Sequence, residues 1–152
     1  MAACAAWMAL ESGVNVALMA PTEILAEQLH GNFSRWFEPL GIKVEMQTGG
    51  RKTFKIQIPN SKFQPGEAGA AAAIFIGTHA LIEGSFLPPN LGLVIIDEQH
   101  KFGVAQRETL VRKGRYPHLL VMTATPIPRT LGLTLYGDLD SSVIDELPAG
   151  RG

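Results

Sequence analysis

The chain has 152 residues, of which 46% are hydrophobic and 18% are charged, and these proportions are typical of one compact domain with an apolar core. Its formal net charge of −1 excludes a basic surface over the whole molecule, so any contact with nucleic acid has to be local. The single cysteine, Cys4, excludes an internal disulfide and a zinc site of several thiolates, which fits a reducing cytoplasm. We expect Cys4 to be a small buried apolar residue.

The first ten residues, from Met1 to Leu10, are apolar and rich in alanine. They carry no basic leader, and the run breaks at residues 11–13, which argues against a signal peptide and against a membrane span. The run predicts a helix. Because nothing before Ala2 can supply an N-cap, we expect this helix to be cut short and the sequence to be truncated upstream.

Five short segments predict the strands of a sheet. Four of them are continuously apolar, as strands covered on both faces require, and helical stretches lie between them, so the predicted fold is α/β with a parallel sheet. The four segments are residues 14–20, 73–76, 91–96 and 119–122. The fifth, residues 42–47, alternates apolar and polar side chains before the turn signal Gly49-Gly50, which favours a position near the sheet edge.

The clearest predicted helix covers residues 22–37. Thr22 is a good N-cap, Glu23 suits the positive end of the helix dipole, and Pro39 with Gly41 ends the element. One face of this helix is predicted to carry Leu25, Leu29, Phe33, Trp36 and Phe37.

The remaining helical signals are shorter. One helix is predicted over residues 104–113 and another from about Pro128 onward. Residues 51–72 show no clear pattern, and we assign them no structure.

The strongest chemical signal follows the strand at residues 91–96. There, two carboxylates, Asp97 and Glu98, and a histidine, His100, come at the carboxyl end of a strand, where open α/β sheets bind ligands. In a nucleotide-hydrolysing motor the first acid holds the magnesium that bridges the phosphates, and the second orients or activates the attacking water. The alternative is that the two acids only cap the next helix. His100 either links the nucleotide and nucleic-acid sites or is a structural histidine.

Such a motor also needs a phosphate loop of the pattern G-x-x-x-x-G-K-[ST]. The only lysine followed by serine or threonine is Lys52, before Thr53, but the pattern would then need glycine at Met46 and at Arg51. Side chains at those two positions obstruct the close backbone approach that phosphates require, so we reject this segment as a phosphate loop. A loop of this kind leads from a strand into a helix, and it would therefore precede the helix that starts near Met1.

Three further segments follow predicted strands, namely residues 20–23, 77–81 and 122–129. Small residues, hydroxyl groups and helix starts suit phosphate contacts that position a nucleic-acid backbone without reading its sequence. Ordinary helix capping explains each segment when it is taken alone. Their order along the chain is what favours the functional interpretation.

In this order the segments resemble the motifs of the superfamily two helicases, and the match spans most of the chain. Residues 20–28 look like motif Ia, residues 77–81 like Ib, residues 97–100 like II, and residues 123–125 like III. The longer strings at residues 100–107, 123–129 and 144–148 are similar to those of bacterial members that remodel branched DNA. A transcription-repair coupling translocase shares the string at residues 125–129.

The resemblance implies a three-layer RecA-like domain of the P-loop NTPase type over residues 1–152, as the first of two motor lobes. It implies ATP and Mg²⁺ as cofactors, with Asp97 as the metal ligand, and branched DNA (forks and junctions) and the second lobe as partners. It also implies a cytoplasmic, nucleoid-associated protein without membrane contact. The second lobe and the branched-DNA wedge would lie outside these residues.

The resemblance also assigns roles to individual residues. Asp97, Glu98 and His100 would be catalytic, and the first two would bind the nucleotide. The residues that would contact DNA are Pro21, Thr22, Glu23, Thr48, Gly49, Thr78 and His79. Coupling of hydrolysis to DNA would involve Thr123, Ala124, Thr125 and Arg129.

Two functions follow as hypotheses. In the first, the chain belongs to an ATP-dependent helicase and has little activity alone, because the phosphate loop and the second lobe are not in it. In the second, the domain keeps the fold but serves as a noncatalytic scaffold that binds a protein partner.

Overall fold

The computed structural model describes residues 1–49, 72–83, 86, 88–97, 109–110, 112–113, 117–124, 140 and 142–144. The helices and strands in these ranges are α1 (Ala2–Glu11), β1 (Asn15–Met19), α2 (Glu23–Phe37), β2 (Lys43–Gln47), β3 (Ala73–Gly77), β4 (Leu91–Asp97) and β5 (His118–Met122). Single 3-10 turns lie at Glu38–Leu40 and His79–Leu81. The predicted helix near Pro128 and most of the one at residues 104–113 lie outside the described residues, as do residues 51–71.

The five strands form one parallel sheet in the order β2-β3-β1-β4-β5. The predicted α/β fold with a parallel sheet is therefore confirmed, and all five strands fall within two residues of their predicted bounds. The alternating segment, β2, is an edge strand as predicted. β1 and β4, which lie inside the sheet, carry almost wholly buried apolar side chains, as strands covered on both faces require.

Both α1 and α2 pack on the same face of the sheet. α1 covers β1 and β4, whereas α2 covers β2 and β3. The core on this face joins buried side chains of the two helices to alternate residues of the strands. Among them are Leu10, Val16, Leu18, Phe33, Phe37, Ile74, Ile76 and Ile95.

The opposite face is covered by the chain that follows β3 and by the helical residue Leu110. Phe86 and Leu110 are fully buried there against the strand residues whose side chains point to this second face of the sheet. Phe86 meets the Phe75 ring of β3 edge-on, with centroids 5.4 Å apart and an interplanar angle of 72°. Such edge-to-face pairs are favourable beyond the apolar area that they bury.

Helix α2 begins and ends as the sequence predicts. The Thr22 side-chain oxygen accepts a hydrogen bond from the Leu25 amide at 3.3 Å, and Gly41 adopts a left-handed φ of 78° after the 3-10 turn. The predicted apolar face is wrong at Trp36, which is 51% exposed. The buried stripe runs through Ala26, Phe33 and Phe37, and residue 36 lies beside it on the solvent side.

Helix α1 also corrects one expectation, since Cys4 is exposed rather than buried. The helix buries Ala6 and Leu10, which are four residues apart and therefore lie on one face. Cys4 and Met8 share the opposite face, and both are exposed.

At the amino ends of the strands, the side chain of Asn15 joins two distant segments. Its Oδ1 accepts a hydrogen bond from the Ala73 amide at 2.7 Å, and its Nδ2 donates to the Pro89 carbonyl. Asn90 then donates from its side chain to the Gly13 carbonyl at 2.8 Å. These hydrogen bonds fix the register of β1 relative to β3 and β4 at the amino ends of the strands. The same register determines how the carboxyl ends of these strands line up.

Candidate functional site

The carboxyl ends of all five strands meet at one edge of the sheet, which we call the carboxyl rim. The strand register aligns them: Met19 of β1 pairs with Gly77 of β3 and with Ile96 of β4. Gly77 in turn pairs with Gln47 of β2. The segments that follow the strands are therefore neighbours in space, although they are far apart in the sequence. This is the edge at which open α/β sheets bind ligands.

Asp97 is the last residue of β4 and is half-buried at the rim. Its register partner is Met122 on β5. The other neighbouring strand, β1, ends at the buried Met19, and the buried Ala20 follows it. The alternation of β4 places Asp97 on the same face as Leu93 and Ile95, which is the face covered by α1 and α2. Glu98 and His100, the other two predicted catalytic residues, lie outside the described residues.

The segment after β1 leads directly into α2. Pro21 is half-buried, whereas Thr22 and Glu23 are exposed. Thr22 caps the helix, and Glu23 is the acidic residue of its first turn, so both predicted local roles are confirmed. An Oε1 atom of Glu23 lies 3.5 Å from where a Cβ on Gly49 would be, so the ends of β1 and β2 come together at the rim.

The residues after β2 and β3 divide into buried and exposed members. Thr48 and Thr78 are only 3% and 2% exposed, whereas Gly49 and His79 are exposed. The Oγ1 atom of Thr78 makes no hydrogen bond within the described part of the chain. The side chains of Thr48 and Thr78 are thus closed to a large ligand, and the accessible groups at this part of the rim are Gly49 and His79.

Gly77 allows β2 and β3 to approach each other at the rim. A Cβ at this position would lie 2.0 Å from the Gln47 carbonyl oxygen and 3.0 Å from the Leu81 side chain. The Thr78 amide donates to that same Gln47 carbonyl at 3.3 Å, and the Gln47 side-chain amide donates to the Ala80 carbonyl at 3.4 Å. Gln47 therefore holds the chain where it leaves β3.

After β5, Thr123 and Ala124 are exposed at the rim beside the end of β4. The structure thus brings together at one edge Asp97, the segments that follow β1, β2 and β3, and these first two residues of the predicted coupling segment. Thr125 and Arg129, the other two, lie outside the described residues.

Asp97 is a hard oxygen donor, and its chemistry fits Mg²⁺. Within the described ranges no cluster of three histidine, cysteine or acidic side chains could enclose a metal ion. Mg²⁺ suits such a site, because proteins commonly hold it by one or two carboxylates while phosphates and water complete its octahedron. None of the helices in the described ranges has the length and apolar character that a membrane span requires.

The model of the DEAD/DEAH box helicase family matches residues 1–133 of the chain. That range contains α1, α2 and every strand of the rim. The chain belongs to the DEAD/DEAH box helicase family.

Within the DEAD/DEAH box helicases, the chain is similar to proteins named RecG. The ATP-dependent DNA helicase RecG of Acidithiobacillus ferridurans is 54% identical over 153 residues, which cover 99% of this chain and 22% of the relative. A solved structure of RecG bound to a three-way DNA junction matches with 40% identity and a TM-score of 0.63, covering 92% of this chain and 18% of that one.

A solved structure of Dbp5 from S. cerevisiae, bound among others to ADP, matches with 15% identity and a TM-score of 0.58. It covers 84% of this chain and 34% of that one, and it supports the fold alone. Together with RecG it confirms the predicted RecA-like, three-layer class. The chain spans about a fifth of the length of the RecG relatives that it matches.

Sequence reasoning missed Gln47 and Lys113, whose side chains hold the chain that follows β3. The sequence pattern identifies Gln47 only as the last residue of a strand and Lys113 only as the last residue of a helix. Gln47 is a polar residue that is buried at the end of an edge strand, and the turn signal after it was the available clue. The contacts of Lys113 join segments that are 27 and 30 positions apart, which no local pattern reveals.

Proposed function

We propose that this chain forms part of the first motor lobe of an ATP-dependent DNA helicase or translocase that acts on branched DNA in recombination and repair. The observation that carries the proposal is the 54% identity with RecG along 99% of the chain, together with Asp97 at the carboxyl rim of the sheet. The RecG structure bound to a three-way junction supports branched DNA as the ligand class. A cytoplasmic, nucleoid-associated location would follow from this activity.

The position of α1 supports nucleotide binding beside Asp97. Only residues 12–14 join α1 to the amino end of β1, and α1 packs on β1 and β4, so α1 runs antiparallel to β1 and its first residues lie toward the carboxyl rim. Its first amides carry the positive end of the helix dipole, which suits phosphate groups. The phosphate-loop pattern does not occur among the 152 residues.

Within this site we assign the metal role to Asp97. Its carboxylate would hold the Mg²⁺ that bridges the nucleotide phosphates, and the bound ion would neutralise charge that develops on them during hydrolysis. We assign to Glu98 the orientation of the attacking water through a hydrogen bond, and to His100 the link toward the DNA side of the rim.

DNA contacts are proposed along the other half of the rim. Thr22, Glu23, Gly49 and His79 are exposed, and Pro21 is half-buried beside them. They offer backbone amides, a hydroxyl and a ring nitrogen, which suit contacts to the sugar-phosphate backbone without base reading. Since Thr48 and Thr78 are buried, their contribution would be to hold the neighbouring backbone in place.

Coupling is proposed to run through the segment after β5. Thr123 and Ala124 follow the end of β5, one and two positions beyond Met122, the register partner of Asp97. A change at the nucleotide would reach this segment through adjacent strands. We include Thr125 and Arg129 in the segment, and the second motor lobe as the partner that it would face.

The test is steady-state ATP hydrolysis by the full-length protein, with and without forked DNA, against the Glu98→Gln variant. We expect DNA to stimulate hydrolysis and the substitution to abolish the stimulated rate while DNA binding survives. A folded protein whose hydrolysis does not respond to DNA overturns the proposal. Binding of a protein partner without affinity for nucleotide or DNA would instead support the scaffold function.

A further inference from the structure

Lys113 makes three contacts with the chain that follows β3. Its ammonium group donates to the Phe86 carbonyl at 2.9 Å and to the Glu83 carbonyl. The same group lies 5.5 Å from the centroid of the Phe86 ring, within the range of a cation–π interaction. We call residues 78–83 together with Phe86 the β3 exit segment.

The core beneath these contacts fixes their geometry. Leu110 is fully buried in the same cluster as Leu81 and Phe86, and the Lys113 amide donates to the Leu110 carbonyl at 3.2 Å. Lys113 therefore extends from a helical turn that is anchored in the core. Phe86 is anchored as well, by its edge-on contact with Phe75 of β3.

The β3 exit segment is held at its other end by the Gln47 side chain, which donates to the Ala80 carbonyl. Within the segment, the Ile82 amide donates to the His79 carbonyl at 2.9 Å and the Phe86 amide to the Glu83 carbonyl at 3.1 Å. Ala80 and Leu81 are buried, whereas His79 between Thr78 and Ala80 is exposed. The two anchors thus fix the one exposed side chain of the 3-10 turn at the rim.

We propose that Lys113 is a positioning residue that holds the β3 exit segment against the turn at residues 110–113 and thereby sets the position of His79 on the DNA side of the rim. The proposal rests on the proposed function. Lys113 belongs to the stretch of chain after β4, and its contacts are with a segment that we place at the DNA. Neither the phosphates nor the DNA needs to touch it.

The environment of Lys113 agrees with this role. Burial lowers the pKa of its ammonium group from the ordinary value, and the nearby Glu83 carboxylate opposes that effect. A lysine that served only solubility would keep its charge in water. Here the side chain crosses the aromatic ring of Phe86 and satisfies carbonyl groups of a turn instead.

The experiment compares Lys113→Met and Lys113→Arg in the full-length protein, with Lys43→Met as the matched control. Lys43 begins the edge strand β2 and is exposed, so its substitution removes the same group away from the rim. The readouts are hydrolysis without DNA, the forked-DNA concentration for half-maximal stimulation, and deuterium exchange of the Ile82, Glu83 and Phe86 amides.

For Lys113→Met we expect faster exchange at those amides and a roughly tenfold higher DNA concentration for half-maximal stimulation, with DNA-independent hydrolysis unchanged. Lys113→Arg should recover most of the loss, because a guanidinium group can also donate to two carbonyls. Lys43→Met should match the unsubstituted protein.

Two results would overturn the inference and can be told apart. If DNA stimulates the unsubstituted protein and Lys113→Met leaves exchange and half-maximal stimulation unchanged, or lowers both hydrolysis rates equally, the inference alone fails. If DNA does not stimulate the unsubstituted protein, the proposed function fails and the inference fails with it.

Discussion

Asp97, the last residue of β4, is the register partner of Met122, the last residue of β5. The carboxylate proposed for the metal and the segment proposed for coupling are thus separated by one strand spacing, about 4.8 Å. Thr123 follows Met122 directly. A shift at either strand end is passed to the other through paired backbone, without an intervening loop.

The first prediction concerns Asp97. In the full-length protein, Asp97→Asn should lower DNA-stimulated hydrolysis by about two orders of magnitude, because the amide keeps the shape of the side chain but loses the charge that holds the metal. The matched control is Asp140→Asn, since Asp140 is exposed. Equal rates for the two variants would remove Asp97 from the site. A Mg²⁺ titration of each variant should show a higher metal requirement only for Asp97→Asn.

The second prediction concerns the close approach at Gly77. Gly77→Ala should lower the free energy of unfolding of the chain by about 3 kcal/mol, because the added methyl group meets the Gln47 carbonyl oxygen at 2.0 Å and backbone cannot easily move away. Gly31→Ala is the control, because Gly31 lies within α2 and a Cβ there meets nothing within 4 Å. It should stabilise the chain by about 0.5–1 kcal/mol. Urea denaturation measures both, and a neutral Gly77→Ala would contradict the packing at the rim.

The third prediction concerns the cap of α2. Thr22→Ala should lower the free energy of unfolding by about 1 kcal/mol, because the Leu25 amide loses the oxygen that it now bonds at 3.3 Å. Thr22→Ser keeps that oxygen, so it should lower the free energy of unfolding by only a small fraction of the amount expected for Thr22→Ala. The difference between the two variants, read from thermal or urea unfolding, separates capping from any role of Thr22 in DNA binding.

The fourth prediction concerns the buried hydroxyl of Thr78. Thr78→Val should leave the free energy of unfolding unchanged or raise it by about 1 kcal/mol, since the hydroxyl is buried and makes no hydrogen bond to any described residue. Its DNA-stimulated hydrolysis should stay within about twofold of the unsubstituted rate, whereas His79→Ala, at the exposed neighbour, should weaken stimulation clearly. A large loss of DNA-stimulated hydrolysis in Thr78→Val would show that the rim opens when DNA binds.

Most of the sheet could be predicted from the sequence because strands that are buried on both faces have continuous runs of apolar residues. In β1 and β4 nearly every side chain is buried, so the apolar runs are continuous. In β2 the buried apolar side chains Val44 and Met46 alternate with the polar residues Lys43 and Glu45, and this alternation predicts an edge strand. The parallel arrangement then placed all strand ends at one rim, with Asp97 among them.

The errors concern which side of a helix is buried. Trp36 and Cys4 both lie on helices that were predicted correctly, but on the solvent side of them. A helix that packs on a sheet buries one stripe of its surface, and the position of that stripe depends on the element it packs against as well as on the hydrophobicity of each residue. Aromatic contact does not require burial either: Trp36 packs against Phe33 at 5.7 Å between ring centroids and still is half exposed.

The parts of the site that escaped prediction are tertiary contacts. Gln47 and Lys113 hold the β3 exit segment toward its two ends, and their hydrogen-bond partners are backbone carbonyls. A carbonyl group has no sequence signature, so no pattern of residue types could indicate these bonds. The buried Asn15 differs, because an amide inside an apolar strand already signals a structural hydrogen bond.

The strand order has a consequence for how the chain is made. β1 leaves the ribosome before any of its neighbours, yet it pairs with β3 and β4, which end at Gly77 and Asp97. At ordinary rates of synthesis of about 5–20 residues per second, the apolar strand waits roughly 4–16 s for β4. Pairing between such distant segments is slow, and unpaired apolar strands associate with other chains. In the nascent polypeptide the apolar strand β1 therefore lacks a complete set of partner strands until β4 has emerged.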